Sequence, residues 1–315
     1  MSLSFSASDD PQSRPIAIIR DGINAGRMLW LHENPQLTGG TLPDFDNLSL
    51  VDPRSYRGFN ASQINQVHKA VKTGQAPPDV FADPRLTKLY SKAQEDIDKK
   101  SGREIHLATG HFQPLPQNIA EQRQVLRAGG PSGVGKSFFA AEFIKAFHEM
   151  WPERRVLLFS GKEEDKNFDH LEYMDRVDVD TLINPETGAT TMPNDALRDI
   201  MCVFDDIECL TDGQKKATYE LKDRLLTTGR SYNIPMILCS HINRAGKVTQ
   251  IDNNETTHEL LFRSGNAMHN RKLLKDYVGL DPKQAEKILS SNSRWFFIAK
   301  TAPMYCITET GAWII

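Results

Sequence analysis

Apolar residues gather into short, near-continuous runs in the second half of the chain, at residues 156–160, 200–204 and 235–240. Runs of this length without polar alternation predict parallel strands covered on both faces. Between the last two runs, Ala217, Leu221 and Leu225 recur at helical spacing. Thr211 and Gln214 form a capping-box signature ahead of that stripe, and Gly229 stands where a C-terminal cap belongs, so a helix links the two strands. Upstream, residues 125–128 read as a short strand. Residues 138–151 read as a helix with Phe139, Phe143, Phe147 and Met150 on one face, stopped by Pro152. Residues 295–298, 304–307 and 313–315 predict closing strands, and Thr310-Gly311 turns the last hairpin.

The first half is patterned more weakly. Residues 16–19 and 28–31 predict strands, and residues 62–73 and 85–100 predict helices separated by Pro77-Pro78. Ser, Asp, Gln and Pro dominate residues 1–15, which predicts a flexible tail. A Pro-, Gly- and Gln-rich passage at 110–117 marks a junction. The expected organisation is a tail over 1–15, an N-terminal α+β region of open role over 16–117, and an α/β domain over 118–315, where strands and helices alternate.

Length and charge narrow the class. At 315 residues the chain holds one large or two ordinary domains, and 38 Lys+Arg against 41 Asp+Glu leave a net charge of −3. No global basic field advertises nucleic acid, so any DNA contact must be local. The four cysteines include no Cys-x-x-Cys pair and predict small buried side chains in a reducing compartment. Among the nine histidines no metal-ligand spacing occurs, so no metal beyond Mg²⁺ is indicated. Without an apolar run of ~18 residues or a signal segment, a soluble intracellular protein is expected.

The chemistry concentrates in Gly130-Pro131-Ser132-Gly133-Val134-Gly135-Lys136-Ser137-Phe138, which contains Gly-x-x-x-x-Gly-Lys-Ser between the predicted strand and helix. Such a loop turns backbone N–H groups around phosphates, with Lys136 charging the β- and γ-phosphates and Ser137 holding Mg²⁺. ATP and Mg²⁺ are the expected ligands. Asp205-Asp206 ends the 200–204 strand about 70 residues later. Asp205 is expected in the Mg²⁺ shell, and Asp206 is placed to orient or deprotonate an attacking water; the plainer reading is a helix cap and its neighbour. Ser240 and His241 end the next strand and either sense the γ-phosphate or are ordinary loop residues. Arg230, with Arg244 as second candidate, either reaches a neighbouring subunit's nucleotide or is a solvated arginine. Lys247 is a candidate for a DNA-phosphate contact, whereas Arg271, Lys272 and Lys275 fit a solvated face better.

Taken in order, the phosphate loop, Val203-Phe204-Asp205-Asp206-Ile207, Thr228-Gly229-Arg230-Ser231-Tyr232-Asn233-Ile234-Pro235 and Ile237-Leu238-Cys239-Ser240-His241 resemble the genome-packaging ATPases of large double-stranded DNA viruses. These, poxvirus-type enzymes among them, belong to the FtsK-HerA superfamily of ring-forming motors. The resemblance covers about residues 124–315. It implies a P-loop NTPase fold with a mainly parallel sheet flanked by helices, a C-terminal β hairpin, and an extra strand between the loop strand and the acid strand. It also implies a homo-oligomeric ring, double-stranded DNA as the moved substrate, and capsid or portal-vertex proteins as further partners. The chain departs from the superfamily in carrying Asp206 where Glu is frequent, with Glu208 two positions on, and Ser240-His241 where Gln is common. Two other readings compete with the motor. One is a nucleotide kinase, because the loop also looks like that of guanylate kinases, and the other is a virion switch protein that binds ATP without useful turnover.

Overall fold

The computed structural model of the protein describes residues 1–7, 11–33, 57–73, 83–90, 93, 102–117, 123–241, 247–265 and 267–315. Before the phosphate loop come β1 (Ser2–Ser4), β2 (Arg14–Ile19), β3 (Met28–His32), α1 (Ala61–Thr73), β4 (Glu104–His106) and β5 (Phe112–Pro114). Strand β6 (Val125–Gly129) enters the loop and α2 (Lys136–Met150) leaves it, followed by β7 (Val156–Ser160), β8 (Met174–Arg176), β9 (Met201–Asp205) and α3 (Asp212–Thr228). The chain closes with β10 (Met236–Ser240), α4 (Lys247–Glu255), β11 (His258–Phe262), α5 (Ala267–Leu273), α6 (Pro282–Ser290), β12 (Trp295–Ala299), β13 (Tyr305–Thr308) and β14 (Gly311–Ile314). Two compact units result, one of residues 1–14, 30–106 and 314, the other of residues 15–29, 107–313 and 315.

In the first unit β1 pairs antiparallel with β3, Leu3 opposite Leu31. Residues 2–4 are therefore a strand and not part of a flexible tail: Leu3 is 2% exposed and Leu31 is fully buried, so one apolar pair outweighs the polar residues around it. Helix α1 forms where its pattern predicts, with Asn60 and Gln63 capping each other's backbone amides at 2.9 and 3.0 Å. Its Val67 packs with Leu86, Leu89 and Ala93. Of the helix expected over 85–100, residues 85–90 and 93 are helical, and the others lie outside the described residues.

The second unit is built on a mixed sheet in the order β14-β13-β12-β11-β6-β10-β9-β7-β8. From β11 through β8 neighbouring strands run parallel, while β12 pairs antiparallel with β11 and β13. Strands β6, β7 and β9 are buried along their whole lengths, which explains the near-continuous apolar runs of β7 and β9. Helix α2 packs Phe139 and Phe143 on Phe297, at 6.3 and 6.0 Å between ring centroids. Met150, expected on the same buried face, is 37% exposed because the helix ends there.

Helix α3 carries the predicted reciprocal Thr211–Gln214 cap and buries Ala217, Leu221 and Leu225 against Val125 and Leu238. Gly229 does not end it through a left-handed turn. Its φ is −62°, the chain continues in a 3₁₀ turn over Gly229–Tyr232, and Asn233, at φ 52°, makes the reversal. A Cβ at 229 would lie 2.9 Å from Arg123 Nη1, the far end of a flexible side chain that can move aside. Beneath the phosphate loop the sheet also buries an ion pair, Arg127 Nε donating to Glu259 Oε2 at 3.0 Å from side chains 1% and 0% exposed. No helix among the described residues is long and apolar enough to cross a membrane.

Candidate functional site

The site lies where three parallel strands end together. In register, β10 sets Ser240 beside Gly129 of β6 and Cys239 beside Asp205 of β9. The loop strand and the acid strand are thus separated by one strand, roughly 9.5 Å across two interstrand spacings. Gly130 N–H donates to the Ser240 carbonyl at 3.1 Å, which ties the start of the phosphate loop to that intervening strand.

Glycine is required in the loop for backbone shape at two positions, Gly133 at φ 80° and Gly135 at φ 105°. Gly135 is also the N-cap of α2 and offers no capping side chain, so the first-turn amides remain available to an anion. Lys136 is 5% exposed, and its Nζ donates to the carbonyls of Gly130 and Pro131 at 2.9 Å each. Burial lowers its pKa, and the charges of Cys239, Asp206 and Asp205 oppose that shift. His241 Nδ1 is 3.4 Å from the same ammonium.

Asp205 is fully buried at the end of β9, and the Ser137 hydroxyl donates toward its two carboxylate oxygens at 3.4 and 3.5 Å. Burial, reinforced by the charge of Asp206, pushes its pKa up to about 6. A desolvated carboxylate facing a hydroxyl fits a divalent cation, with water and phosphate oxygens as the other ligands. Asp206 adopts a left-handed backbone at φ 50°, unusual for a residue other than glycine, and is 2% exposed. His241 Nε2 and Lys162 Nζ both engage its carboxylate. Burial works to raise the Asp206 pKa, yet the Lys162 hydrogen bond and the charges of His241 and Lys162 prevail and hold it below the ordinary aspartate value. Lys162 in turn is raised to about 12, chiefly by that hydrogen bond.

A cavity of about 600 Å³ opens at this point, with Ser132, Gly133, Gly135, Lys136, Ser137 and Phe138 facing Lys162, Asp165, Asp206 and His241. The structure therefore brings the phosphate loop, both aspartates and His241 together. Ser240 adjoins them through its backbone. Glu208 does not line this cavity. Arg230 stands apart: it is exposed in the turn before β10, at the strand end opposite Ser240, and borders a separate cavity with Arg123, Thr227 and Glu255. Arg244 lies outside the described residues. Lys162 escaped the sequence reading. Its signal is Ser160-Gly161-Lys162 directly after an apolar strand, and Gly161 is small because a Cβ there would sit 2.6 Å from the Asp206 carbonyl oxygen. That close approach seats the lysine on the acid loop.

No protein-family model matches the chain. Uncharacterized protein V3 of Sputnik virophage is 30% identical over 231 residues, which cover 71% of this chain and 89% of the relative. The chain belongs to the family of that virophage protein. Among solved structures, the cytoplasmic domain of the Thermomonospora curvata Type VII secretion ATPase EccC aligns at 17% identity and a TM-score of 0.44, over 66% of this chain. This chain spans only 28% of that EccC chain. The genome packaging NTPase B204 of Sulfolobus turreted icosahedral virus 2, in complex with AMPPCP, aligns at 14% identity and a TM-score of 0.38, covering 58% of this chain and 92% of B204.

Proposed function

We propose that this virophage-family protein is an ATPase subunit that works as a homo-oligomeric ring to translocate double-stranded DNA, packaging a viral genome. The observation that carries the nucleotide part is the single cavity joining Lys136 and Ser137 of the phosphate loop to Asp206 and His241 at the ends of two neighbouring strands. The motor part rests on the ordered motifs and on the strand inserted between loop and acids, and the viral setting on kinship with a virophage protein. The match to a virophage relative does not single out the poxvirus-type branch within the packaging ATPases.

Phosphoryl transfer to water depends mostly on positioning and charge neutralisation. The loop amides and Lys136 bind the triphosphate, and Ser137 with Asp205 would hold Mg²⁺, which when bound would neutralise charge on the phosphates. Asp206 orients the attacking water and accepts its proton. In the nucleotide-free arrangement both Lys162 and His241 engage Asp206, so a γ-phosphate that draws Lys162 toward itself frees the carboxylate to meet water. Arg230, exposed in the turn before β10, at the opposite end of that strand from Ser240, is assigned to the neighbouring subunit's transition state. Mixing inactive Arg230→Ala subunits with inactive Lys136→Ala subunits should restore activity at interfaces that pair an intact Lys136 with an intact Arg230. The overall reading is tested by ATP hydrolysis with and without duplex DNA, paired with native mass measurement. DNA-stimulated turnover by an oligomer is expected. Tight ATP binding with no DNA-stimulated turnover would mark a switch protein, and phosphorylation of an added nucleotide a kinase.

A further inference from the structure

The phosphate cavity has a neighbour. A second cavity, of about 310 Å³, is lined by Val134, Gly135, Phe138, Phe262, Trp295 and His111 among others. Gly135 and Phe138 line both cavities, so the two meet along the first turn of α2. We propose that this second cavity is the nucleobase subsite of the nucleotide site and that it holds a purine by stacking on Phe138. The inference rests on the nucleotide reading above and adds to it where the base goes and what recognises it.

Three observations support it. Phe138 is 64% exposed, and no other Phe, Tyr or Trp among the described residues is classed as exposed. Its neighbour Phe139 is 5% exposed and packs edge-on against Trp295 at 5.2 Å, so the helix had an apolar face to offer and Phe138 points away from it. An exposed aromatic ring beside a phosphate loop offers a planar face on which a base can stack.

The direction of the nucleotide agrees with this placement. Asp206, Lys162 and His241 line the phosphate cavity alone and mark its γ-phosphate end, whereas Phe138 lines both cavities. A triphosphate bound with its terminal group at Asp206 therefore sends its sugar and base toward Phe138 and the second cavity.

The far wall of that cavity is built firmly. Gly110, at φ 89°, lets two loops touch, since a Cβ there would meet the Asp21 carbonyl oxygen at 2.3 Å, and the contact seats the His111 ring 2.8 Å from the Asp21 carboxylate. The charged groups on the rim are already matched: Arg20 with Glu142, Arg294 with Glu309, and His111 with Asp21. With its polar groups engaged and its floor aromatic, the cavity recognises the face of a base more than its edge. Adenine and guanine should both be accepted, and the smaller pyrimidines should bind more weakly.

The test is equilibrium binding to the full chain with Mg²⁺, using ATP, GTP, CTP and inorganic tripolyphosphate as probes. Wild type should bind ATP and GTP more tightly than CTP or tripolyphosphate. Phe138→Ala, an exposed change that should leave thermal unfolding unaltered, should weaken ATP roughly 5- to 150-fold, the scale of one lost base stack. It should leave tripolyphosphate binding unchanged, and Phe138→Trp should restore ATP affinity. Lys136→Ala should weaken both ATP and tripolyphosphate. Unchanged ATP affinity in Phe138→Ala would overturn the subsite, as would an equal loss for ATP and tripolyphosphate, or a change in oligomer mass alone. If wild type bound neither ATP nor tripolyphosphate, the nucleotide reading itself would fall and the subsite with it.

Discussion

Arg127 and Asp205 are both almost fully buried, on strands separated only by β10, yet the fold treats their charges in opposite ways. Around Arg127 the charges close on themselves. Glu259 accepts from its guanidinium at 3.0 Å and from the Thr256 hydroxyl at 3.0 Å, and Lys300 Nζ lies 3.7 Å from the same carboxylate. Around Asp205 the account stays open: a hydroxyl at 3.4 Å, a second aspartate alongside, and a pKa driven up to about 6. A buried charge with its partners in place belongs to the scaffold, while one left short of positive charge is prepared for a cation that arrives from outside.

The sharpest break between the two regions should come from the catalytic groups. Asp206→Asn should slow ATP hydrolysis by on the order of 10²–10⁴, and Lys136→Ala should remove measurable turnover, with thermal unfolding of each close to wild type. A general loss of folding in these variants would mean that the open cluster is scaffold after all. The closed cluster should behave the other way. Arg127→Met strands Glu259 in the interior and should destabilise the protein by about 3–5 kcal/mol in urea unfolding. The double variant Arg127→Met/Glu259→Leu should recover most of that loss, because no unpaired charge remains.

A smaller effect tests the open site directly. Ionised Asp205 has a folded pKa raised above its unfolded value, so it carries a cost that grows as pH rises through that interval and is fully present at neutral pH. Asp205→Asn should therefore raise nucleotide-free stability at pH 8 by about 1–3 kcal/mol. It should also abolish the stabilisation of ATP-bound protein that wild type gains from Mg²⁺ and loses on chelation. If Asp205→Asn were destabilised and still responded to Mg²⁺, the metal assignment would be wrong. Smallest of all, Lys162→Ala should change turnover by no more than about fivefold, since this partly exposed ion pair is worth about 1 kcal/mol or less. Its signature should be a modest shift in both kcat and ATP affinity, because Lys162 no longer holds Asp206 before nucleotide arrives and no longer meets the γ-phosphate afterwards.

What the sequence determined by itself was everything with a local physical cause. Unbroken apolar runs required strands buried on both faces, Thr211 and Gln214 satisfied the first amides of α3 through their own side chains, and Gly133 with Gly135 supplied the positive φ of a phosphate loop. Those features made the phosphate loop and the aspartate pair readable without coordinates. What depended on distant partners was not. Ser2–Ser4 became a strand only because Leu31 covers Leu3. Gly229 caps α3 in a right-handed conformation and leaves the reversal to Asn233. Lys162 reached Asp206 only because Gly161 lets the β7 and β9 loops touch. The cavity that Phe138 borders likewise takes part of its wall from Phe262 and Trp295, more than a hundred positions away. Periodicity and capping act over one or two turns of chain, whereas which side chain meets which across the sheet is decided by strand order and register, and only the folded chain sets those.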